Sequence, residues 1–266
     1  MERVIRAEAH AKINVYLRVL GRRPDGYHDI DSLIVPVSLA DTLTVRLDAE
    51  LRLSVKGDLT DTVPLDESNL VLRAARTLAM AAGVDLGADI ELEKRIPVSA
   101  GLGGGSADAA ATLHALNDLW GCDLPGEGLA EIGAEIGSDV PALVAGGPVR
   151  IRGRGELVEA ATVEPGWWVL HPLPFPVSVA DAYRWWDEDG GPRHPATTAA
   201  SNDLEEPVAR RHPEITETVG RLVAAGADDV HMSGSGPTVV GKAQSETDAR
   251  GIAEVLPGSI VVSAPP

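Results

Sequence analysis

The sequence predicts an α+β fold built from two domains, residues 1–158 and 159–266. Strand-like alternation and helix-like periodicity interleave irregularly in both halves, whereas a doubly wound parallel sheet would alternate them regularly. The pattern also changes across residues 159–166, after which a new strand is predicted. Each half contains one glycine cluster at a junction between elements, and no internal repeat is visible.

The N-terminal half opens with an imperfect alternation of apolar and polar residues over 4–20, which ends in the turn cluster 21–26. Apolar residues on one helical face then predict a helix from Leu70 to Ala82, with Asp66 or Ser68 as its cap. The further strands predicted in this half are 34–37, 41–47, 51–56 and 90–92. The further helices are 107–119 and 129–136.

The C-terminal half contains shorter elements between turn signals, which is again typical of an α+β domain. The predicted strands are 167–171, 230–232, 238–242 and 259–263. The predicted helices are 204–210, 213–225 and one that begins at Ser245.

Composition excludes several classes of function. The chain has 266 residues, 44% of them hydrophobic, and a formal net charge of −17. Such an acidic chain lacks the basic face that nucleic acids and anionic lipid surfaces require, so neither partner is expected. The sequence gives no indication of protein partners.

The single cysteine, Cys122, excludes an intrachain disulfide and a Cys-rich metal site. The first residues lack the apolar core of a signal peptide, and no apolar stretch is long enough to span a membrane. A reducing cytoplasm is therefore the expected compartment.

Four of the five residues from Gly101 to Gly105 are glycine, between a predicted strand and a predicted helix. Such a run allows backbone N–H groups to surround an anion, and a helix N-terminus adds its dipole to the same place. A triphosphate group is the expected ligand. A valine at Gly104 is expected to weaken nucleotide binding because its Cβ would intrude on the phosphates.

Two other glycine motifs are excluded by their letters. A Walker A loop ends in Gly-Lys-Ser or Gly-Lys-Thr, whereas Gly105 is followed by Ser106 and Ala107. The dinucleotide-binding pattern requires a third glycine at the position that Ser106 occupies.

Six motifs in order resemble those of the GHMP kinases, and in particular the diphosphocytidyl-methylerythritol kinases among them. They are Ala11–Asn14, Pro24–His28, Pro97–Ala111, Gly137–Pro141, Asn202–Glu205 and Met232–Pro237. The resemblance implies a two-domain kinase fold, with an N-terminal domain like domain 2 of ribosomal protein S5 and a ferredoxin-like C-terminal domain. It also implies phosphorylation of the 2-hydroxyl of diphosphocytidyl-methylerythritol, in the non-mevalonate route to isoprenoid precursors.

The same resemblance implies that ATP is the phosphoryl donor and that it binds the first glycine motif. The residues concerned are Pro97, Val98, Ser99, Ala100, Gly101, Leu102, Gly103, Gly104, Gly105, Ser106 and Ala107. The C-terminal glycine loop, which the family closes over the phosphates, would be Ser233, Gly234, Ser235 and Gly236. A tight turn between two strands explains that second cluster equally well.

Asp139 is the candidate base, because phosphoryl transfer asks the protein for a group that takes the hydroxyl proton. The alternative is that Asp139 or Ser138 only caps the helix that Pro141 begins. Lys12 is the candidate partner, which the resemblance places near Asp139 and the acceptor hydroxyl. The alternative is an exposed strand lysine.

By resemblance, Asn14 contacts the erythritol part of the substrate, Tyr27 and His28 hold its cytidine, and Tyr183 stacks on the cytosine. The neighbouring Trp185 and Trp186 leave the stacking residue open. The substrate would thus be a small molecule that carries a cytidine diphosphate group.

Mg²⁺ is expected because it neutralises the polyphosphate, yet no carboxylate cluster identifies its ligands. Ser106 either contacts a phosphate or the metal ion, or caps its helix. Asp108 either binds the ion or favours the helix start. Another small alcohol as acceptor, such as homoserine or mevalonate, and a non-catalytic nucleotide-binding regulator remain as alternatives.

Overall fold

The computed structural model describes residues 3–57, 59–60, 63–191 and 201–265. By its internal contacts the chain divides into two compact units. Unit 1 comprises Met1–Ala11, Leu39–Val98 and Gly103–Gly146, and unit 2 comprises Lys12–Ser38, Ser99–Leu102 and Gly147–Pro266. The predicted domain boundary between residues 158 and 159 stays a prediction.

Two long strands, β1 (Val4–Arg22) and β2 (His28–Asp48), pair with each other and run through both units. In unit 1 the C-terminal part of β2 pairs antiparallel with β4 (Gly87–Glu93), from Thr42 opposite Glu93 to Asp48 opposite Gly87. The strand β3 (Leu51–Lys56) lies parallel to β4 on its other side. The sequence predicts two strands where β2 is continuous.

Four helices complete unit 1, namely α1 (Leu70–Ala82), α2 (Gly104–Trp120), α3 (Gly126–Ile136) and α4 (Val140–Val144). Their apolar faces form one core with β2 and β4, in which α2 contributes mainly alanines. Small side chains allow helices to approach closely, which suits a chain with only 3% aromatic residues. The side chain of Asn69 caps α1 by accepting from the Val71 N–H at 2.9 Å, so the predicted caps Asp66 and Ser68 are wrong.

In unit 2 the N-terminal part of β2 pairs antiparallel with β5 (Val149–Gly153), and β5 pairs with β6 (Leu157–Ala160). A separate antiparallel sheet has the order β10-β7-β9-β8. Its strands are β7 (Gly166–His171), β8 (Asp228–Met232), β9 (Val239–Ala243) and β10 (Ile260–Ala264).

The helices of unit 2 are α5 (Val179–Glu188), α6 (Glu205–Ala209), α7 (Glu214–Ala224) and α8 (Glu246–Val255). From β7 to β10 the described elements therefore follow a β-α-β-β-α-β order, with helices in both crossovers. This topology confirms the ferredoxin-like expectation for the C-terminal part and the α+β class. The elements β5, β6 and α5 were not predicted.

Within the described residues, no helix combines the length and the apolar character needed to cross a membrane.

Candidate functional site

Lys12 and Asn14 lie two residues apart on β1 and share a face, as strand alternation requires. Both are buried, with 4% and 3% of their surface exposed, so Lys12 is not the exposed strand lysine of the alternative. The Lys12 ammonium donates to the Asn14 amide oxygen at 2.7 Å, and the Asn14 amide nitrogen donates to Ser32 Oγ at 2.8 Å. Burying an ammonium without hydrogen-bond partners is costly, so the hydrogen bond to Asn14 helps to stabilise Lys12 in its buried position.

The middle part of the predicted ATP motif, Ser99–Leu102, lies beside these residues in unit 2, whereas Pro97 and Val98 belong to unit 1. The Lys12 N–H donates to the Leu102 carbonyl at 2.9 Å. Gly101 has φ +75°, and a Cβ there would lie 2.7 Å from the carbonyl oxygens of Ser233 and Gly236. Glycine suits this position because the close backbone leaves no room for a Cβ, and the left-handed conformation is one that residues with a side chain rarely adopt.

The C-terminal glycine loop forms a tight turn between β8 and β9, as the alternative interpretation of this cluster predicts. It also lies next to the buried side chain of Lys12. Gly234 has φ +60°, and a Cβ there would lie 3.1 Å from both Lys12 Nζ and Asn14 Oδ1. Ser233 Oγ accepts from the Asn14 N–H at 3.1 Å. Unit 2 therefore brings together Lys12, Asn14, part of the first glycine motif and the second.

The last part of the first glycine motif, residues 103–107, forms the start of α2 in unit 1. Gly103 is the N-cap residue with φ +69°, and no side chain caps this helix end. The helix begins at Gly104, three residues before the predicted start, so Ser106 lies inside its first turn and is not the cap. A helix start without a side-chain cap leaves N–H groups for an anion.

The Cβ direction at Gly104 differs from the expectation. A Cβ there would lie 3.0 Å from Ile96 Cγ2 and 3.4 Å from Lys94 Nζ, inside unit 1. A valine would therefore press on the side chains of Ile96 and Lys94 beneath the helix start, and its effect on nucleotide binding stays a prediction.

Asp108 belongs to a buried ionic cluster with Lys94 and Asp41. Lys94 Nζ donates to Asp108 Oδ2 at 2.8 Å and also to Asp41 Oδ2, and all three residues are at most 5% exposed. Burial raises the pKa of Asp108, and Asp41 adds to the rise while Lys94 opposes it, which gives a value of about 7. Burial opposes the charge of Lys94, but the two carboxylates outweigh it and raise the pKa of the lysine.

Asp139 occupies the N-cap position of α4, yet its side chain makes no capping hydrogen bond. The helix itself starts through the backbone, with Leu143 N–H donating to the Asp139 carbonyl at 3.2 Å. Pro141 lies in the first turn, as predicted. The residue is partly exposed, and the alternative that its side chain caps α4 is not supported.

Two of the predicted cytidine residues, His28 and Tyr183, are in contact in unit 2. The His28 ring stacks on Tyr183 with centroids 4.8 Å apart, and His28 Nε2 lies 2.9 Å from Asp187 Oδ1. Tyr27 is 53% exposed, with the Arg154 guanidinium 5.3 Å from its ring centroid. We refer to the stacked pair of His28 and Tyr183, together with the exposed Tyr27 that precedes His28 in the chain, as the aromatic patch.

The neighbouring tryptophans are placed differently. Trp186 is 5% exposed and meets the edge of the His28 ring, so it offers no open face. Trp185 contacts His212 and the guanidinium of Arg211 instead. Among the three aromatic residues considered for stacking, Tyr183 is the one whose ring stacks on His28.

The sequence predicts no individual roles for the residues of the motif Asn202–Glu205. Asn202 is 3% exposed and donates to the Met232 and Gly234 carbonyls at 2.6 and 2.7 Å. Glu205 accepts from the Met232 N–H at 2.7 Å. Burial raises the pKa of Glu205, against the effects of this N–H and of His231. No local sequence signal reveals these contacts, because the partners lie about thirty residues along the chain.

Comparisons with known proteins show which family the chain resembles. The model of the GHMP kinases N terminal domain matches residues 69–147, and that of the GHMP kinases C terminal domain matches residues 192–259. A 4-diphosphocytidyl-2-C-methyl-D-erythritol kinase of Symbiobacterium thermophilum is 44% identical, over 88% of this chain and 89% of the relative. The protein of the same name from Paramagnetospirillum magneticum is 43% identical, over 94% and 92%.

Solved structures show the same likeness. A 4-(cytidine 5'-diphospho)-2C-methyl-D-erythritol kinase superposes with a TM-score of 0.83 at 35% identity, covering 98% of this chain and 99% of that one. Homoserine kinase from Cytophaga hutchinsonii reaches a TM-score of 0.73 at 21% identity, covering 99% and 95%, a likeness of fold alone. The chain therefore belongs to the GHMP kinases and, within them, to the 4-diphosphocytidyl-2-C-methyl-D-erythritol kinase family.

Proposed function

We propose that the chain transfers the terminal phosphoryl group of ATP to the 2-hydroxyl of 4-diphosphocytidyl-2-C-methyl-D-erythritol. The observation that carries the proposal is the joint position of Lys12, Asn14, the Ser99–Leu102 part of the first glycine motif and the C-terminal glycine loop in unit 2, in a chain of this family. The reaction belongs to the non-mevalonate route to isoprenoid precursors.

We assign Asp139 the role of the base that takes the proton of the acceptor hydroxyl. The residue is partly exposed and its side chain does not cap α4, which supports a role other than capping that helix. Lys12 stabilises the negative charge that develops on the acceptor oxygen, since a buried ammonium acts more strongly there than one in water. Asn14, bonded to Lys12, orients the erythritol part.

The triphosphate binds the N–H groups of the glycine motif and the start of α2. Mg²⁺ would neutralise the phosphate oxygens, and it commonly keeps several waters and takes few protein ligands. The described residues contain no group of three or more His, Cys, Asp or Glu side chains that could hold a metal ion. The carboxylate of Asp108 is engaged by Lys94. We therefore assign no protein ligand to the ion.

The aromatic patch of Tyr27, His28 and Tyr183 binds the cytidine end of the acceptor. Tyr27 presents an exposed ring, and planar rings favour stacking on a pyrimidine. The same patch favours a nucleotide-linked acceptor over homoserine or mevalonate, since neither of these carries a base.

An acceptor panel tests the proposal. The chain is incubated with ATP, Mg²⁺ and one of three acceptors, namely the diphosphocytidyl compound, homoserine or mevalonate, and ADP release is followed by a coupled assay. Release that depends on the diphosphocytidyl compound alone is expected. Equal or faster ADP release with homoserine or mevalonate would mean that the proposed acceptor is wrong. No release with any of the three compounds would contradict the proposal as a whole.

A further inference from the structure

The turn between β8 and β9 is shaped by one buried side chain, Asn202. Both hydrogens of its amide are used, one on the Met232 carbonyl at 2.6 Å and one on the Gly234 carbonyl at 2.7 Å. Its oxygen accepts from the Leu204 N–H at 2.9 Å. Every polar atom of this side chain is thus engaged in fixing backbone.

The segment that carries Asn202 is itself anchored on β1, the strand of Lys12 and Asn14. The Leu17 N–H donates to the Ser201 carbonyl at 2.8 Å, and the Asp203 N–H donates to the Leu17 carbonyl at 2.9 Å. The Asp203 carboxylate also accepts from the Val19 N–H at 2.8 Å. Asn202 therefore connects the glycine turn to a fixed point on the strand that holds the buried lysine.

The geometry of the peptide bond determines what this does to the turn. In a trans peptide the C=O and the following N–H point in opposite directions, and the bond between Gly234 and Ser235 is trans. Because Asn202 holds the Gly234 carbonyl, the N–H of Ser235 points away from Asn202. The peptide bond between Met232 and Ser233 has the same geometry. Asn202 holds the Met232 carbonyl on one side, and the Ser233 N–H on the other side donates to the Thr238 carbonyl at 2.9 Å.

Ser235 is partly exposed, whereas the other residues of the turn are buried. Within the part of the chain that the structure describes, the N–H groups of Gly234 and Ser235 both donate no hydrogen bond, and of these two residues only Ser235 is partly exposed. An N–H fixed in direction and facing out of a glycine turn is suited to an anionic oxygen.

We infer that Asn202 is a positioning residue that aims the Ser235 N–H at a phosphate oxygen of the bound nucleotide. The inference rests on the proposed function, because the kinase reaction supplies the polyphosphate. It adds a residue that touches neither nucleotide nor acceptor and acts only through the backbone of the turn.

The test uses Asn202→Ala with Asn69→Ala as the matched control. Asn69 is also buried and also bonds backbone with both ends of its amide, at Pro64 and Val71, but it caps α1. We expect both variants to lower the melting temperature. Only Asn202→Ala should also raise the KM for ATP, by about tenfold to a hundredfold, as expected for the loss of a hydrogen bond to a charged group. The KM for the acceptor should change much less.

An unchanged KM for ATP in a folded, active Asn202→Ala protein would overturn the inference, as would an equal rise in Asn69→Ala. If the wild-type chain released no ADP with any acceptor, the proposed function itself would fail, so the two failures are distinguishable.

Should Asn202→Ala not fold, the Ser235 amide in the intact chain decides. Its ¹H–¹⁵N signal should shift and gain protection from exchange when a non-hydrolysable ATP analogue is added. A signal that the analogue leaves unchanged would refute the inference.

Discussion

The buried cluster of Asp41, Lys94 and Asp108 predicts a pH-dependent stability that one substitution should abolish. Two carboxylates share one ammonium in a site that excludes water. Asp41 is well satisfied, because it also accepts from the Arg95 and Ile96 N–H groups at 2.5 and 2.9 Å. The Oδ1 atom of Asp108 has no hydrogen-bond partner. Asp108 is therefore the carboxylate whose ionised form is destabilised by burial.

The magnitude follows from the pKa of Asp108, which rises from 3.8 to about 7. Each unit corresponds to about 1.4 kcal/mol, so the shift amounts to about 4 kcal/mol. The folded chain binds the proton more tightly than the unfolded chain does. The contribution to stability is thus fully present below about pH 4 and is lost as the pH rises through about 7.

Asp108→Asn removes the ionisation and leaves Lys94 paired with Asp41 alone. Denaturant unfolding is measured between pH 4 and pH 8 in metal-free buffer. The free energy of unfolding of the variant, relative to that of the wild type, should increase by up to about 4 kcal/mol as the pH rises. Asp118→Asn is the matched control on the same helix, where the carboxylate is exposed and pairs with Arg3. That control should differ from the wild type by less than about 1 kcal/mol at every pH.

Parallel stability curves for Asp108→Asn and the wild type would refute the reasoning. They would mean that Asp108 ionises in the folded chain as easily as in the unfolded one, despite its burial.

Three further predictions concern the site. Asp139→Asn should leave nucleotide affinity and the melting temperature nearly unchanged while kcat falls by orders of magnitude, and near-normal turnover would exclude Asp139 as the base. Gly101→Ala should lower the free energy of unfolding by about 1–3 kcal/mol or more, because the new Cβ would lie 2.7 Å from two carbonyl oxygens of the C-terminal glycine turn at φ +75°; an unchanged denaturation midpoint would count against this contact. Tyr183→Ala should raise the KM for the cytidine-bearing acceptor about tenfold and leave that for ATP unaltered, whereas equal effects on both would argue against a stacking role.

The sequence predicted those parts of the site that depend on neighbours along the chain. Lys12 and Asn14 share a face because strands alternate, and the structure has them on one face of β1. The glycine run precedes a helix as expected. The predicted helix begins three residues later than α2 does, because Gly104 and Gly105 carry no helical signal although they lie in its first turn.

What the sequence could not predict depends on contacts between distant segments. The Lys94–Asp41 pair joins residues 53 positions apart, and Asn202 bonds carbonyls 30 and 32 positions away. No periodicity records such pairs. The helix α5 was missed for a different reason, since its aromatic residues have only moderate helix propensity and pack on His28 and His212.

The most direct measurement of the central claim is the position of the new phosphate in the product. The wild-type chain is incubated with ATP and 4-diphosphocytidyl-2-C-methyl-D-erythritol, and the product is examined by ³¹P NMR and mass spectrometry. We predict one added monophosphate on the 2-hydroxyl of the methylerythritol, with the diphosphate intact. A phosphate on the ribose, or a product identical to the starting compound, would contradict the assignment.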